Sequence, residues 1–337
     1  MRIRLTPARV ALVVFFLAAA ILPVFADPRG HLLRVAAMVL LFAAMAQSWN
    51  IVGGLANQIS LGHAAFFGLG AYTSTLLFLK LGISPWIGML AGAVVAGGAA
   101  ALLSIPTFRL KGHYFALATL AFAEVMRVIA NSWASLTGGP VGLSIPFMGT
   151  QPAYFAFRAV SSYYWIILGL LAFVCLVFHL LASGAIGYRL RAVRENENAA
   201  EVAGVDTFRV KLTASVISAA LTAMCGTVFA QFTFFFDPDS IFALAGISVR
   251  MAMIAIVGGL GTLGGPILGA LFLIPLEEVA NATLSSQAAG LSQFVFGVIL
   301  IAAILIQPRG LMAWWPKKRP AAKAAPTAAM PAAGKGA

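Results

Sequence analysis

Charged residues are scarce in this chain: Asp, Glu, Lys and Arg make up only 9% of its 337 residues. An average soluble domain contains about 25% of these residues and needs them to cover its surface. Hydrophobic residues reach 61%, so too few polar side chains remain to cover a water-soluble globule. This composition excludes a soluble enzyme of ordinary type. It predicts an all-α, polytopic membrane protein, because segments in lipid must satisfy their own backbone groups.

Residues that carry catalytic chemistry are also few, and they lack the spacing that such chemistry requires. The two cysteines, Cys175 and Cys225, lie in apolar runs, which excludes a disulfide framework and favours buried packing roles. The four histidines lack metal-ligand spacing, and no G-x-x-x-x-G-K-[ST], H-E-x-x-H or G-x-S-x-G motif occurs. We therefore expect no enzyme activity, no ATPase site, no metal site and no cofactor in this chain.

Apolar segments long enough to cross a bilayer recur along the chain, since a transmembrane helix needs about 20 apolar residues. Glycine and polar residues interrupt several of them, which indicates broken or re-entrant helices in the bundle. We expect about ten spans, at residues 10–25, 35–52, 59–79, 85–103, 113–130, 163–182, 212–232, 247–259, 263–279 and 291–306.

Basic residues set the expected orientation, because Lys and Arg collect in cytoplasmic loops. Of the 22 basic residues, 16 fall in the cytoplasm when an even number of spans places both termini there. The net charge of +12 comes without a basic stripe interleaved with aromatics, so we expect no nucleic-acid partner. Alternatively, the first span is a signal peptide cleaved at Val24-Phe25-Ala26, which would leave nine spans.

The spans leave one long segment on each side of the membrane within a transmembrane domain of residues 1–315. Residues 131–162 form the expected periplasmic loop, and residues 183–211 form the expected cytoplasmic loop. Residues 316–337 are rich in Ala, Pro and Lys without apolar periodicity. They predict a disordered, basic cytoplasmic tail that anionic membrane lipid would attract.

Neutral polar residues concentrate around Gly53-Gly54, where a span is expected to break. Donors and acceptors without net charge suit a path for a zwitterionic or neutral solute. Alternatively, these side chains cap a broken helix and bond one another. Ser218 belongs to a later stripe of small polar residues that either packs or lines a wet path. The residues expected to line the substrate pathway are Asn50, Gln58, Ser60, His63 and Tyr72.

Charged residues within the spans are rare enough to interpret one by one. Glu124 and Arg127 are three residues apart, so they share a helix face and are expected to form an intramembrane ion pair. Arg250 is expected to reach the outer interface. Glu124 is the sole carboxylate well inside an expected span. Transport driven by protons or sodium usually needs buried carboxylates or cation sites, so this scarcity disfavours it.

The cytoplasmic loop contains a compact charged segment with the character of a docking element. The spacing of Arg191 with Glu195 and of Arg194 with Glu197 favours a short helix, and Gly204 is its expected stop. A rigid helix with small residues and charged edges suits contact with another protein. The alternative is a solvated helix between spans. The residues of this segment taken as functional are Arg194, Glu195, Glu197, Ala199, Ala200 and Gly204.

Six motifs together resemble the LivM-type permeases of branched-chain amino acid importers, which are ATP-binding-cassette (ABC) transporters. They are Gln47-Ser48-Trp49-Asn50 with Gly53-Gly54, and residues 58–72, 110–120, 136–143, 194–197 and 257–266. The resemblance covers about residues 38–309. Asn198 stands where the loop of ABC permeases in general carries Glu, so the ATPase contact of that Glu is not assigned to it.

The resemblance implies a multi-pass permease subunit of the bacterial inner membrane that lacks its own energy source. Its implied partners are a second permease paralogue in a heterodimer, two cytoplasmic ATPase subunits that use ATP, and a periplasmic solute-binding protein. It also implies that the segment from Arg194 to Gly204 docks on an ATPase. The implied solute is a branched-chain amino acid, with urea, amides or other small polar solutes as alternatives. A stand-alone secondary transporter or channel is the competing interpretation.

Overall fold

The computed structural model describes residues 7–25, 27, 30–108, 110, 112–147 and 149–284, and scattered residues between 290 and 314. The expected tail at 316–337 and most of the expected span at 291–306 lie outside these residues, as does Ala26 of the alternative cleavage site.

Helices account for most of the described residues. Two-residue strands β1 (Leu143–Ser144) and β2 (Phe235–Phe236) form one antiparallel pair. The helices are α1 (Pro7–Phe25), α2 (His31–Asn50), α3 (His63–Leu81), α4 (Pro85–Thr107), α5 (His113–Ser132), α6 (Ala134–Thr137), α7 (Val160–Ser183), α8 (Ala185–Glu195), α9 (Glu197–Val202), α10 (Thr207–Thr233), α11 (Pro238–Ile241), α12 (Arg250–Gly258) and α13 (Gly265–Leu284).

The described residues contain eight helical segments long and apolar enough to cross a membrane. Val10–Phe25 adds a shorter apolar helix. These segments confirm an all-α, polytopic bundle, and they make the chain a multi-pass membrane protein. One segment, Pro238–Gly258, is interrupted: the π-helical turn Leu244–Val249 separates α11 from α12, as expected for broken helices.

The expected break at Gly53-Gly54 is wrong in its position. Both glycines lie inside a π-helical turn, Ile51–Leu55, that continues α2. The reason is steric: a Cβ at Gly53 would lie 2.2 Å from the Trp49 ring. Glycine therefore lets this indole fold over the widened turn. The chain leaves the helix afterwards, between residues 56 and 62.

Helix α2 is the centre of the bundle, since every residue from 39 to 56 is buried. It packs against α7, α12 and α13, while α10 packs against α3 and α4. Close approach in the second group depends on small residues, as expected for helices in lipid. A Cβ at Gly226 would lie 2.0 Å from the Phe67 carbonyl oxygen. Nearby, the Thr227 hydroxyl donates to the Gly70 carbonyl at 3.0 Å.

Two opposite ends of the bundle can be distinguished by their connections. One end, called here the α8–α9 end, also holds the end of α2, the start of α3 and the loop between α12 and α13. The short 3₁₀ helix Leu311–Trp314 packs there as well, beside α12 and α13. The opposite end holds the residues between α5 and α7. There Gly142 has φ +76°, and a Cβ on it would lie 2.4 Å from the Phe236 carbonyl oxygen.

The expectation that Arg250 reaches an outer interface is wrong. Its guanidinium pairs with Glu277 of α13 and lies over the Phe42 ring of α2, 4.9 Å from the ring centroid. The cation therefore joins three helices inside the bundle. The Glu277 carboxylate compensates the charge of Arg250 inside the bundle, where an unpaired charge would be costly. Packing between separate helices brings these two residues together.

Candidate functional site

Asn50 ties the end of α2 to the loop between α12 and α13. Its Oδ1 accepts from the Gly261 amide at 2.8 Å, and its Nδ2 donates to the Thr262 carbonyl at 2.9 Å. Asn50 is fully buried, so this side chain does not face an open path in this conformation. Its geometry makes it a cross-link between two segments rather than a solute contact here.

His63, at the start of α3, is the centre of a buried polar chain. Its Nδ1 is 3.1 Å from the Ser60 hydroxyl, and its Nε2 is 2.8 Å from the Ser218 hydroxyl of α10. Ser218 donates its own proton to the Ser48 carbonyl at 2.6 Å. His63 must therefore donate through Nε2 and accept from Ser60 through Nδ1, which one neutral tautomer achieves. The side chains bond one another, and Ser218 serves packing between α10 and α2.

Gln58 borders a cavity of about 580 Å³ at the α8–α9 end. Glu197, Lys211 and Arg194 also line it, together with the beginning of α5 around His113. This cavity is larger than an amino acid and is lined by both charge signs. Of the residues expected along the pathway, Gln58 is the one that the structure places on open space at this end.

Tyr72 lies buried in α3, between two aromatic rings of a later part of the chain. Its ring stacks on Phe242 with centroids 5.8 Å apart and meets Phe236 edge-on at 5.0 Å. Among the described residues, its hydroxyl has no hydrogen-bond partner. A buried hydroxyl without a partner is costly, and in this conformation the oxygen does not face an open path.

Glu124 and Arg127 lie together on an exposed side of α5, and a third charge joins them. Arg127 Nε donates to Glu124 Oε2 at 3.0 Å, and Arg127 also pairs with Asp239 of α11. Asn131 Nδ2 donates to the same Asp239 at 3.0 Å. The Glu124 and Asp239 side chains are 52% and 62% exposed. Charges on a membrane-spanning helix are too costly to face lipid, so this side of α5 faces water or another subunit.

The segment predicted to be one docking helix forms two. Helix α8 ends at Glu195, and Asn196 caps α9 by accepting from the Ala199 amide at 3.0 Å. Gly204 follows α9 with φ +84°. This left-handed conformation favours glycine and stops the helix where expected. Asp206 then caps α10, so α9 is bounded by its Asn196 cap and by Gly204.

The ion pairs predicted along this segment do not form, because longer-range partners compete for the same side chains. Arg194 Nη1 donates to the Gly54 carbonyl at 2.7 Å. Glu197 pairs with Lys211 of α10. Arg191 donates to the Ala182 carbonyl at 3.0 Å. The segment is therefore fastened to the bundle at several points.

The tip of α9 projects from the bundle and is apolar. Val202 is 91% exposed, and Ala199 and Ala203 are exposed beside it, whereas Ala200 is buried. Sequence reasoning missed Val202, although an isolated valine in a polar segment was a usable signal. It also missed Asp239 and Lys211, whose partners lie far away in sequence. Ala200 packs inward, so Ala199 is the alanine of the predicted pair that a partner can reach.

Residues 31–304 match the family described as "Branched-chain amino acid transport system / permease component". The chain is 30% identical over 311 residues to the high-affinity branched-chain amino acid transport system permease protein LivM of Escherichia coli, and 29% identical over 313 residues to LivM of Salmonella typhimurium. Each alignment covers 86% of this chain and 71% of the relative.

A second kind of permease in the same systems is also similar. LivH of Salmonella typhimurium is 24% identical over 287 residues, which cover 80% of this chain and 91% of LivH. No solved structure is significantly similar to the chain. The family match spans most of the described bundle. The chain belongs to the permease family of branched-chain amino acid transport systems.

Proposed function

We propose that the chain is the membrane-spanning permease subunit of an ABC importer for branched-chain amino acids in the bacterial inner membrane. The observation that carries the proposal is the projecting α9, on a bundle that belongs to a permease family. The sequence contains no phosphate-binding G-x-x-x-x-G-K-[ST] motif. The power for transport is therefore supplied by ATPase subunits that bind α9.

The apolar tip of α9 is the part of the loop suited to an ATPase surface. Val202 is almost completely exposed, so its side chain contacts water when no partner protein is bound. Burying a valine side chain in a partner stabilises a complex by about 1.5–3 kcal/mol. Asn196, Gly204 and the Glu197–Lys211 pair keep the tip rigid, so little conformational entropy is lost on docking.

The remaining partners follow from the family and from the charged face of α5. A second permease of the LivH kind would cover the side of α5 that carries Glu124, Arg127 and Asp239, which lipid cannot cover cheaply. A periplasmic solute-binding protein would deliver the solute at the opposite end of the bundle. The solute is a branched-chain amino acid; urea and amides are the alternatives, and uptake measurements distinguish them.

Reconstitution tests the proposal. The chain is co-purified with its LivH-type paralogue, both ATPases and the binding protein, and vesicles are assayed for uptake of labelled leucine and labelled urea. We expect leucine uptake that requires ATP. Uphill uptake by the chain alone in an ion gradient would contradict the proposal, and urea uptake in place of leucine uptake would contradict the substrate.

A single substitution tests the docking surface. Val202→Asp places a charge on the apolar tip, so we expect loss of ATPase subunits on co-purification and loss of ATP-driven uptake. Val141→Asp is the matched control for ATPase retention, because Val141 is 80% exposed at the opposite end of the bundle, away from α9. Equal ATPase retention in the two variants would show that α9 is not the docking element.

A further inference from the structure

Two glycine segments of similar sequence meet at the α8–α9 end. Gly53-Gly54-Leu55 lies in the turn that ends α2, and Gly258-Gly259-Leu260 ends α12. A Cβ on Gly54 would lie 2.5 Å from the Gly261 amide nitrogen and 2.0 Å from Asn50 Oδ1. The two helix ends approach so closely because no side chain stands between them. Asn50 then bonds both sides of the crossing, as described above.

Arg194 reaches this crossing from α8. Its Nη1 donates to the Gly54 carbonyl at 2.7 Å. A Cβ on Gly261 would lie 3.1 Å from the same nitrogen. The guanidinium therefore fills the corner between the two glycine segments. Its hydrogen bond to Gly54 joins the α8–α9 segment to the turn that ends α2.

The contacts of Asn50 and Arg194 differ in how readily they can break. Asn50 is fully buried and uses both ends of its amide, so breaking its bonds would leave buried polar groups unpaired. Arg194 is exposed and borders the cavity of about 580 Å³. Its guanidinium can leave Gly54 for open, hydrated space. Breaking the Asn50 contacts is therefore costlier than breaking the contact of Arg194 with Gly54.

We propose that Arg194 is a positioning residue that transmits movement of α9 to the ends of α2 and α12, and that it does not itself contact the ATPase. Asn50 keeps these two helix ends moving as one unit. The bond from Arg194 to Gly54 couples that unit to α8, and movement of α9 breaks or restores this bond. The inference rests on the proposed function, because it assigns a role within ATP-driven transport.

The test compares two arginines of α8 in the complete reconstituted complex. In Arg194→Gln, we expect normal co-purification of the ATPases and unchanged ATP hydrolysis. Leucine uptake per ATP hydrolysed should fall about tenfold, the change expected when a charge-assisted hydrogen bond is lost. Arg191→Gln is the matched control, because Arg191 bonds the Ala182 carbonyl of the adjacent helix end. It should stay within about twofold of the unsubstituted complex.

A further variant separates transmission from a merely structural role. Arg194→Lys keeps a cationic donor for the Gly54 carbonyl, so it should restore most of the uptake per ATP. Failure of Arg194→Lys to restore it would overturn the proposal, as would normal coupling in Arg194→Gln.

The failures of the two proposals are distinguishable. Loss of ATPase subunits from Arg194→Gln would make Arg194 a docking residue and overturn transmission, while the proposed function would stand. Absence of ATP-driven uptake in the unsubstituted complex would overturn the proposed function itself. Unchanged unfolding temperature in Arg194→Gln, measured alongside, shows that any loss of coupling does not come from misfolding.

Discussion

The pair between Glu197 and Lys211 offers a quantitative test of how α9 is held. The Lys211 side chain is only 6% exposed, and Glu197 is 30% exposed. Glu197→Gln keeps the shape and one acceptor oxygen but removes the charge that compensates a buried ammonium. Breaking a buried pair costs about 3–5 kcal/mol when one partner is removed. Because Glu197 is partly exposed and the amide can still accept, we expect about 2 kcal/mol.

The measurement is thermal unfolding of the purified subunit in detergent, followed by circular dichroism. A loss of about 2 kcal/mol should lower the Tm by on the order of 5 °C. The control is Glu195→Gln, two residues away and exposed, for which we expect a change within about 0.5 kcal/mol. The double variant Glu197→Gln with Lys211→Met removes both charges, so it should recover most of the lost stability.

Two results would refute this reasoning. If Glu197→Gln melts at the same temperature as Glu195→Gln, the buried ammonium does not depend on its partner. If the double variant is less stable than Glu197→Gln, the lysine stem contributes more by packing than its charge costs. Either result would mean that the caps at Asn196 and Gly204, and not the ion pair, fix α9.

Three other substitutions test packing and the expected pathway. Gly226→Ala should destabilise the bundle by about 2 kcal/mol or more, because its Cβ would meet the Phe67 carbonyl, whereas Gly98→Ala has open space and should be neutral; both are read from Tm. His63→Phe should cost about 2–3 kcal/mol, because it leaves Ser60 and Ser218 without their partner; an unchanged Tm would contradict this role. Tyr72→Phe should raise Tm slightly, since it removes a buried hydroxyl that has no partner among the described residues, and it should raise the KM for uptake; an unchanged KM would contradict the pathway assignment.

Hydropathy predicted the helices well because lipid leaves a spanning segment few choices. Each apolar segment must form its backbone hydrogen bonds within itself, so its length and composition alone locate a span. The interruptions were harder to place. Gly53 marks a widened turn rather than a break because the Trp49 ring occupies the space of the missing Cβ. Trp49 lies only four residues before Gly53, but sequence spacing alone does not say that its ring folds over the glycine.

The candidate site was predictable as a set of segments but not as a set of contacts. Local spacing suggested that Arg194 would pair with Glu197, yet each has a partner from another element, at Gly54 and Lys211. The i, i+3 and i, i+4 rules give a few tenths of a kcal/mol on an exposed helix. A partly buried tertiary contact outweighs that amount easily. The same competition brought Arg250 to Glu277.

The pairing of carboxylates within the described spans also bears on the energy source. Glu124 and Asp239 share Arg127, Glu277 pairs with Arg250, and Glu278 contacts His31 at 3.2 Å. An ion-coupled transporter usually needs a buried carboxylate or an unwound cation site that can exchange a proton or a sodium ion during its cycle.

A carboxylate neutralised by arginine binds such an ion weakly, because the guanidinium already supplies the compensating charge. The pairing of Glu124, Asp239 and Glu277 with arginines is consistent with the proposal that movement is imposed from outside, at α9. A substitution that removes the charge of one of these carboxylates tests this interpretation. Glu124→Gln should leave the ATP dependence of leucine uptake unchanged, whereas loss of an ion-driven component in that variant would return the secondary-transporter interpretation to first place.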